Sequence, residues 1–236
     1  MQNVTIIFKK SMKMSDLIDA DYRLLLLLNR LNISLGFGEK SVDVVCRENG
    51  FDSDCFIFLA NCQSNRSIIN VQEVFDALPL EPFLRYLKSS HGYFLEKRLP
   101  NIRRKLELVF AGSDKGLQHV VLDFFDNYTR EVEEHMQYED DTVFPYVYCL
   151  MEESCDDDYS INIFEERHND IEGKMNDLKQ ILMKYVPGTT DQMLMVNILT
   201  ELYMSEEELE AHTFIEDSLV IPRVKEIEKA KRAVKN

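Results

Sequence analysis

The sequence predicts an almost entirely α-helical protein, and three observations support this prediction. Only 8 glycines and 6 prolines interrupt the 236 residues, and the stretches between them are rich in Leu, Glu, Lys and Met. Apolar residues in these stretches recur three and four positions apart, which is the period of an α-helix. We therefore expect an all-α protein in which a small helical N-terminal domain, residues 1–78, precedes a four-helix up-down bundle, residues 79–236.

Turn-forming residues divide the chain into the expected helices. Residues 15–78 are predicted to form several short helices, broken at 32–38, at Asn49-Gly50 and around Asn65. From about residue 80 the pattern lengthens into four helices, predicted over 81–110, 115–150, 160–186 and 190–230. The breaks between these four lie at 111–116, in the acidic run 152–158, and at Pro187-Gly188.

The net charge limits the classes of partner. The chain has 27 Lys and Arg against 42 Asp and Glu, so its formal charge is −15. Such a surface repels DNA, RNA and anionic lipid, because binding to phosphate requires clustered positive charge. We therefore expect no nucleic-acid partner and no membrane partner. The oligomeric state is not predicted by these features.

Two features predict a cytoplasmic protein. The longest apolar run is Leu24–Leu28, far shorter than the roughly 20 residues that cross a bilayer, and the N-terminus lacks the pattern of a secretory signal. The cysteines are odd in number and lack zinc-type spacing, which favours free thiols over a disulfide framework. They are Cys46, Cys55, Cys62, Cys149 and Cys155.

An internal repeat carries the residues that are suited to chemistry. Shifting the chain by 77 residues superimposes two helical segments of similar sequence, which indicates a duplicated helical pair. The shift aligns His91 with His168, His135 with His212, Glu139 with Glu216, Asp140 with Asp217, and Pro145 with Pro222.

The repeat predicts that these histidines and glutamates lie in one layer of the bundle. Within each motif the His and the Glu stand four residues apart, so both lie on one helix face, about 6 Å apart along the axis. His91 and His135 lie about 20 residues on either side of the 111–116 turn, so they are level in an antiparallel hairpin. His168 and His212 flank the later turn in the same way. All four helices therefore contribute to the layer.

The residue types in this layer predict a pair of transition-metal ions. The predicted ligands are His91, His135, Glu139, His168, His212 and Glu216. This set is too rich in nitrogen for calcium or magnesium and lacks the thiolates of a structural zinc site. Glu139 and Glu216 are the expected bridges, with two histidines on each metal and an oxo or hydroxo group between the metals. Coordination positions left for a diatomic molecule or a peroxide favour two iron ions over zinc, with manganese or a mixed pair as alternatives.

Other patterns in the chain predict no additional site. His119 should point about 160° away from the ligand face of its helix, so we exclude it. The spacing of Glu165 and His168 is that of a ferritin-type carboxylate site, but the second copy that such a site needs is missing. The acidic runs 152–158 and 206–208 fit a solvated loop and a charged helix turn better than a cation site.

Four blocks of residues support a resemblance to a known family. They are Ser90–Phe94 with Leu99-Pro100, His135–Glu139 with Phe144-Pro145, Glu166–Asp170, and His212–Glu216 with Ile221–Arg223. In this order the blocks resemble the ligand blocks of haemerythrin-like di-iron proteins, and more narrowly the iron–sulfur cluster repair (repair of iron centres) family. The resemblance implies a non-haem di-iron centre held by the six predicted ligands. It also implies a role in nitrosative and oxidative stress, in the restoration of damaged iron–sulfur clusters, and in nitric-oxide or dioxygen chemistry.

The N-terminal domain is also similar to the leading domain of that family, with one departure. Leu31–Ser41 stands where the family carries a Cys-Cys-Gly-Gly-Lys block, and Gly36 and Phe37 replace the two cysteines. The departure puts any role of a dithiol in docking or delivery in doubt. We expect the three cysteines nearby in the sequence to pack in the helical core rather than to replace the pair.

These observations predict a di-iron protein of the cluster-repair type that handles nitric oxide, peroxide or dioxygen. Damaged iron–sulfur proteins are the partners that the resemblance implies. A second hypothesis is a haemerythrin-like module that binds or senses dioxygen without turnover. A third is a helical interaction protein that holds no metal.

Overall fold

The computed structural model describes residues 8–64, 70–110, 115–152, 159–165, 172–187 and 190–235. Over these residues the chain forms helices and no named strand, with one isolated bridge between Lys13 and Ser41. The predicted all-α fold class is confirmed. The chain divides into two compact units, Met1–Ser90 and His91–Asn236. The domain boundary predicted between residues 78 and 79 stays a prediction.

Short helices make up the first unit. They are α1 (Met14–Ala20), α2 (Leu24–Arg30), α3 (Val42–Glu48), α4 (Ser53–Ser64), α5 (Val71–Asp76) and α6 (Glu81–Tyr93), of which the last three residues belong to the second unit. Asn32, with a φ of 55°, follows α2, and Gly50, with a φ of 67°, follows α3. Both are left-handed residues that end helices, and they lie at breaks predicted from the sequence. The break predicted around Asn65 lies outside the described residues.

The core of the first unit is aromatic and aliphatic. The rings of Phe75 and Phe83 lie 4.7 Å apart, and each lies 5.6 Å from the ring of Phe58. Cys46, Cys55 and Cys62 are buried and outside any disulfide, as expected for core residues.

The second unit contains the longest of the described helices together with several shorter ones. They are α7 (Leu99–Val109), α8 (Lys115–Tyr138), α9 (Phe144–Met151), α10 (Ile161–Glu165), α11 (Glu172–Tyr185), α12 (Gln192–Ile215) and α13 (Ile221–Lys235). Single wider turns of π-helix join α6 to α7, α8 to α9, and α12 to α13; they are Phe94–Arg98, Glu139–Val143 and Glu216–Val220.

Prolines explain the three π-helical turns. Each turn is followed, after one residue, by a proline: Pro100, Pro145 or Pro222. A proline inside an α-helix lacks an N–H donor, and its ring clashes with the carbonyl group four residues earlier. That carbonyl belongs to the middle residue of the π-helical turn in all three cases, so the wider turn relieves the clash while the helix continues.

Helices α7, α8, α11 and α12 pack as a four-membered ring. Helix α7 packs against α8 and α12, and α11 packs against the same two helices. Arg98 binds Glu208 at 2.6 Å and Lys105 binds Glu201 at 2.5 Å. Moving forward along α7 therefore means moving backward along α12, which is the antiparallel arrangement of an up-down bundle.

Ion pairs also cross the other faces of the ring. Arg103 pairs with Asp126 between α7 and α8, Lys174 with Glu131 between α11 and α8, and Lys179 with Glu206 between α11 and α12. Glu206 and Glu208, in the acidic run of α12, are thus bound to basic side chains. This use of the run agrees with its exclusion as a cation site.

The bundle core is apolar from the end of α7 and the start of α8 to the end of α8. Leu106, Phe125, Leu178 and Leu202, one from each of the four helices, are all 0% exposed. Full burial of such a side chain contributes about 1.5–3 kcal/mol. Met136, at 2% exposed, ends this apolar part of α8 and lies three residues before Glu139.

Two further findings bear on the predicted compartment. Cys149 is disulfide-bonded, so the prediction of free thiols is wrong for this cysteine. None of the described helices combines the length and the apolar character that crossing a bilayer requires.

Candidate metal centre

Five of the six predicted ligands converge in the second unit. His91 lies near the end of α6, His135 near the end of α8, and His212 near the end of α12. Glu139 and Glu216 are the first residues of the π-helical turns that follow α8 and α12. The sixth predicted ligand, His168, lies outside the described residues.

The five side chains form two groups that share one residue. The first group contains His91, Glu139 and His212, and the second contains His135, Glu139 and Glu216. Within each group the ligand atoms all lie within 4.8 Å of one another. These separations suit atoms that bind one ion at about 2.0–2.2 Å.

Glu139 connects the two groups through its two oxygens. Its Oε2 lies 2.9 Å from Nε2 of His91, and its Oε1 lies 2.5 Å from Nε2 of His135. One carboxylate thus presents a different oxygen to each group. The first group is completed by His212, whose Nε2 lies 3.2 Å from Nε2 of His91. Glu216 is less tightly placed, since its Oε2 lies 4.0 Å from Nε2 of His212.

The two carboxylates are buried, and the hydrogen-bond geometry around their oxygens is incomplete. Glu139 is 0% exposed and Glu216 is 2% exposed. Among the described residues, neither oxygen of Glu139 nor Oε1 of Glu216 has a hydrogen bond of acceptable geometry. An unpaired buried carboxylate is costly. The donor set therefore fits cations, which compensate buried carboxylates and accept lone pairs from neutral imidazoles.

Neighbouring side chains orient the histidines for metal binding. Nδ1 of His91 lies 3.0 Å from Oδ1 of Asp140, so its N–H donates to this carboxylate. The proton on Nδ1 leaves a lone pair on Nε2, the nitrogen that faces Glu139 and His212. The ring of Phe144 stacks on His91 at 5.5 Å, and the ring of Phe164 stacks on His135 at 5.9 Å.

The pKa values of the two glutamates shift in opposite directions. For Glu139, burial favours a higher pKa, but the imidazoles of His135 and His91 outweigh burial and lower the pKa well below its usual range. For Glu216, burial raises the pKa well above its usual value, and the charges of Glu139 and Asp217 raise it further. The pKa of His91 is raised, because Asp140 and Glu139 outweigh the effect of its burial.

The structure also shows where the sequence prediction was incomplete. The 77-residue shift aligns Asp140 with Asp217, but the contact of Asp140 with His91 was not predicted from the sequence. The π-helical turns were not predicted either, although the prolines after three of the four blocks are their signal. His119 points to solvent, with 78% of its side chain exposed, and pairs with Asp123 at 3.1 Å, which agrees with its exclusion.

One comparison with known proteins gives a match. A family model described as the hemerythrin HHE cation binding domain matches residues 83–224. The matched segment is more than half of the chain and contains all six predicted ligands. No curated protein matches the chain.

Proposed function

The chain belongs to the hemerythrin HHE cation binding family, and from this premise we propose that it is a non-haem di-iron protein of the iron–sulfur cluster repair type. In this proposal it acts on nitric oxide, peroxide or dioxygen in the response to oxidative and nitrosative stress. Damaged iron–sulfur proteins are the proposed clients. The proposal goes beyond cation binding, which the family match supports by itself.

The position of Glu139 is the observation that carries the di-iron proposal. Its two oxygens face different histidines, and it belongs to both candidate groups. His91 and His212 are the proposed partners of Glu139 on one ion, with His135 and Glu216 on the other. His168 is proposed as a further ligand from its place in the repeat. When bound, a pair of iron ions supplies one-electron chemistry and coordination positions for a small ligand.

The chain's own residues prepare this site. Asp140 holds the proton of His91 on Nδ1, which keeps Nε2 available as a ligand. Phe144 and Phe164 cover the faces of His91 and His135, and this cover keeps water away from the imidazoles. A dry site strengthens every charge interaction within it.

Metal analysis tests the di-iron proposal. The full chain is loaded with iron(II) without oxygen, freed of excess metal and analysed for iron per chain. Two irons per chain are expected, together with the absorption of a bridged pair after oxidation. The variant His119→Ala is the matched control, because it removes an imidazole outside the site. Fewer than one metal per chain would contradict the proposal and favour the metal-free interaction protein.

A second candidate function has an observation in its favour. Gly36 and Phe37 stand in place of the paired cysteines of the repair family. Burial raises the pKa of both Cys46 and Cys62 to about 12, so these thiols carry no thiolate at neutral pH. The replaced cysteine pair and the neutral thiols of Cys46 and Cys62 favour a module that binds or senses dioxygen without turnover.

Stopped-flow spectroscopy of the reduced, iron-loaded protein separates the two functions. A band that appears with dioxygen and disappears when dioxygen is removed would identify the binding module. Irreversible oxidation, or the formation of nitrous oxide from nitric oxide, would identify the reactive protein. The cytoplasmic location stays a prediction, and the disulfide at Cys149 weakens the argument from free thiols.

A further inference from the structure

A chain of aromatic side chains leads away from the candidate metal centre. The ring of Phe164 lies 5.9 Å from that of His135 and 6.2 Å from that of Tyr138, stacked on both. The hydroxyl groups of Tyr138 and Tyr159 are 3.1 Å apart. The ring of Tyr159 then contacts that of Tyr146 at 4.8 Å.

The row of aromatic side chains ends at a buried carboxylate, that of Glu228. The hydroxyl group of Tyr146 donates to Oε1 of Glu228 at 2.7 Å, and both residues are nearly buried, with 7% and 6% exposed. Glu228 also accepts from the hydroxyl group of Ser160 at 3.0 Å and from the N–H of Ile161 at 2.8 Å. Glu228 is therefore a fixed acceptor placed on the phenol proton of Tyr146.

A phenol next to a fixed base is suited to one-electron oxidation. Loss of an electron makes a phenol strongly acidic, so a tyrosine is oxidised readily only where its proton has an acceptor. Tyr146 has such an acceptor in Glu228, and rings in contact connect it to His135, a proposed metal ligand. We propose that Tyr146 is a redox-active tyrosine that supplies an electron to the metal centre and passes its proton to Glu228. This inference rests on the proposed function.

The step balances in atoms and electrons. The oxidant is hydrogen peroxide at the proposed metal pair: it would take two electrons from the pair and leave as two hydroxide ions, so the pair would hold two oxidising equivalents. The O–H bond of Tyr146 breaks, and its proton forms an O–H bond with the carboxylate of Glu228. The electron would pass along the contacts of Tyr159, Tyr138 and Phe164 to His135, a proposed metal ligand, and would cancel one of the two oxidising equivalents. The products are a neutral tyrosyl radical at position 146 and a protonated Glu228.

The consequence is protection of the metal ligands. An oxidising equivalent left at the metal pair reacts with the nearest side chains, which are the buried histidines. Transfer to Tyr146 moves the radical to the far end of the aromatic chain. Tyr138 and Tyr159, in the middle of the row of aromatic side chains, are partly exposed. An external reductant therefore has access to this row.

The first experiment measures the radical in the iron-loaded full chain. Reduced protein is mixed with hydrogen peroxide and frozen, and the tyrosyl radical is quantified by electron paramagnetic resonance. Wild type and Tyr203→Phe are expected to give equal yields, since Tyr203 lies outside the aromatic chain. Tyr146→Phe keeps the ring but removes the phenol that carries the radical, so most of the signal is expected to be lost. Tyr159→Phe, which keeps Tyr146 and Glu228, is expected to lower it as well.

The role of Glu228 is separated from simple support of the fold by a matched variant. Glu228→Gln keeps the volume and one acceptor oxygen but does not take up the phenol proton. The thermal unfolding midpoint is expected to fall somewhat, because the hydrogen bonds from Tyr146, Ser160 and Ile161 lose their charged acceptor. Iron content is expected to stay near that of wild type, while most of the radical signal is lost. If Glu228 only anchors Ile161, the radical yield of Glu228→Gln will equal that of wild type. That result would overturn the assignment of Glu228 as the proton acceptor.

The second experiment uses metal-free protein and is independent of the proposed function. A ruthenium(III) polypyridyl oxidant, generated by a light pulse, oxidises tyrosines from solution. The longest-lived tyrosyl signal is expected in wild type and Tyr203→Phe, and its loss is expected in Tyr146→Phe. Equal signals in wild type and Tyr146→Phe, in either experiment, would overturn the inference. A failure of the di-iron proposal appears instead in the metal analysis, because iron content is measured on the same samples.

Discussion

Glu139 and Glu216 hold equivalent places in the repeat, yet the folded protein treats them differently. Each follows a histidine by four residues and opens a π-helical turn. Glu139 has two imidazole nitrogens within 2.9 Å, whereas Glu216 lies 4.0 Å from Nε2 of His212 and close to the charge of Glu139. The pKa of Glu139 is therefore lowered, and that of Glu216 is raised.

Equivalent positions in the sequence repeat therefore do not have equal tendencies to carry a charge. Without cations, the layer favours one ionised carboxylate at Glu139 and one protonated carboxyl at Glu216, because two buried anions repel each other. Cations at both groups would remove this asymmetry by compensating both carboxylates. Metal uptake should therefore release the proton of Glu216.

Replacement of Glu139, the carboxylate that both groups share, should have the largest effect on metal content. Glu139→Gln is expected to lose both metals, because both candidate groups include Glu139. Glu216→Gln is expected to retain about one metal per chain, since the group of His91, Glu139 and His212 stays complete. Iron analysis and the absorption of the bridged pair measure both outcomes. Two irons bound to Glu139→Gln would show that Glu139 does not bridge.

The carboxylate behind His91 gives the next largest effect. Asp140→Asn weakens the hydrogen bond that holds the proton on Nδ1, so we expect metal affinity to fall by about 10–100-fold. The repeat places Asp217 in the equivalent position, and we expect Asp217→Asn to have a similar effect. Competition with a chelator measures both affinities. An unchanged affinity in Asp140→Asn would mean that packing, with Phe144 on the ring of His91, orients the imidazole by itself.

The pH dependence of metal-free stability measures the asymmetry directly. As pH rises above 4.5, the unfolded chain loses the proton of Glu216 while folded Glu216 keeps it, because burial and the charges of Glu139 and Asp217 raise its folded pKa. The folded state then binds more protons, so the free energy of unfolding should fall as pH rises, by up to about 1.4 kcal/mol per pH unit.

Variants assign this slope to its source. Glu216→Gln should remove the fall that begins above pH 4.5. The lowered pKa of Glu139 has the opposite sign: its contribution to stability is present above pH 4.5 and is lost as pH falls further. Above pH 6.5 the raised pKa of His91 adds a second loss of stability as pH rises. Denaturant unfolding at several pH values checks this, and an unchanged slope in Glu216→Gln would contradict the assignment.

The prolines after the two glutamates should give the smallest effect. Pro145→Ala removes the ring that makes the π-helical turn necessary, but it also frees the unfolded chain, so we expect a change in unfolding free energy of at most about 1 kcal/mol. Pro100→Ala is the matched control, because the turn before it does not begin at a predicted ligand. Iron content should fall slightly in Pro145→Ala and stay unchanged in Pro100→Ala. Equal iron content in the two variants would mean that the π-helical turn does not position Glu139.

Much of the candidate site was predictable because its signals are local. Four-residue spacing puts His135 and Glu139 on one helix face in any helical context, and the repeat then predicts His212 and Glu216. Equal distance from a turn predicted that His91 approaches His135, and both lie within 2.9 Å of Glu139. The π-helical turns and the contact of Asp140 with His91 were not predicted, because they depend on how the helices pack.

Side-chain periodicity and residue chemistry along the chain were therefore sufficient to predict the helical class, the repeat and the types of ligand. The packing of the helices is what reveals which oxygen of Glu139 faces which histidine, which glutamate has the raised pKa, and which tyrosine lies beside Glu228. Those outcomes depend on distances between helices and on removal from water, and neither quantity exists until the helices pack.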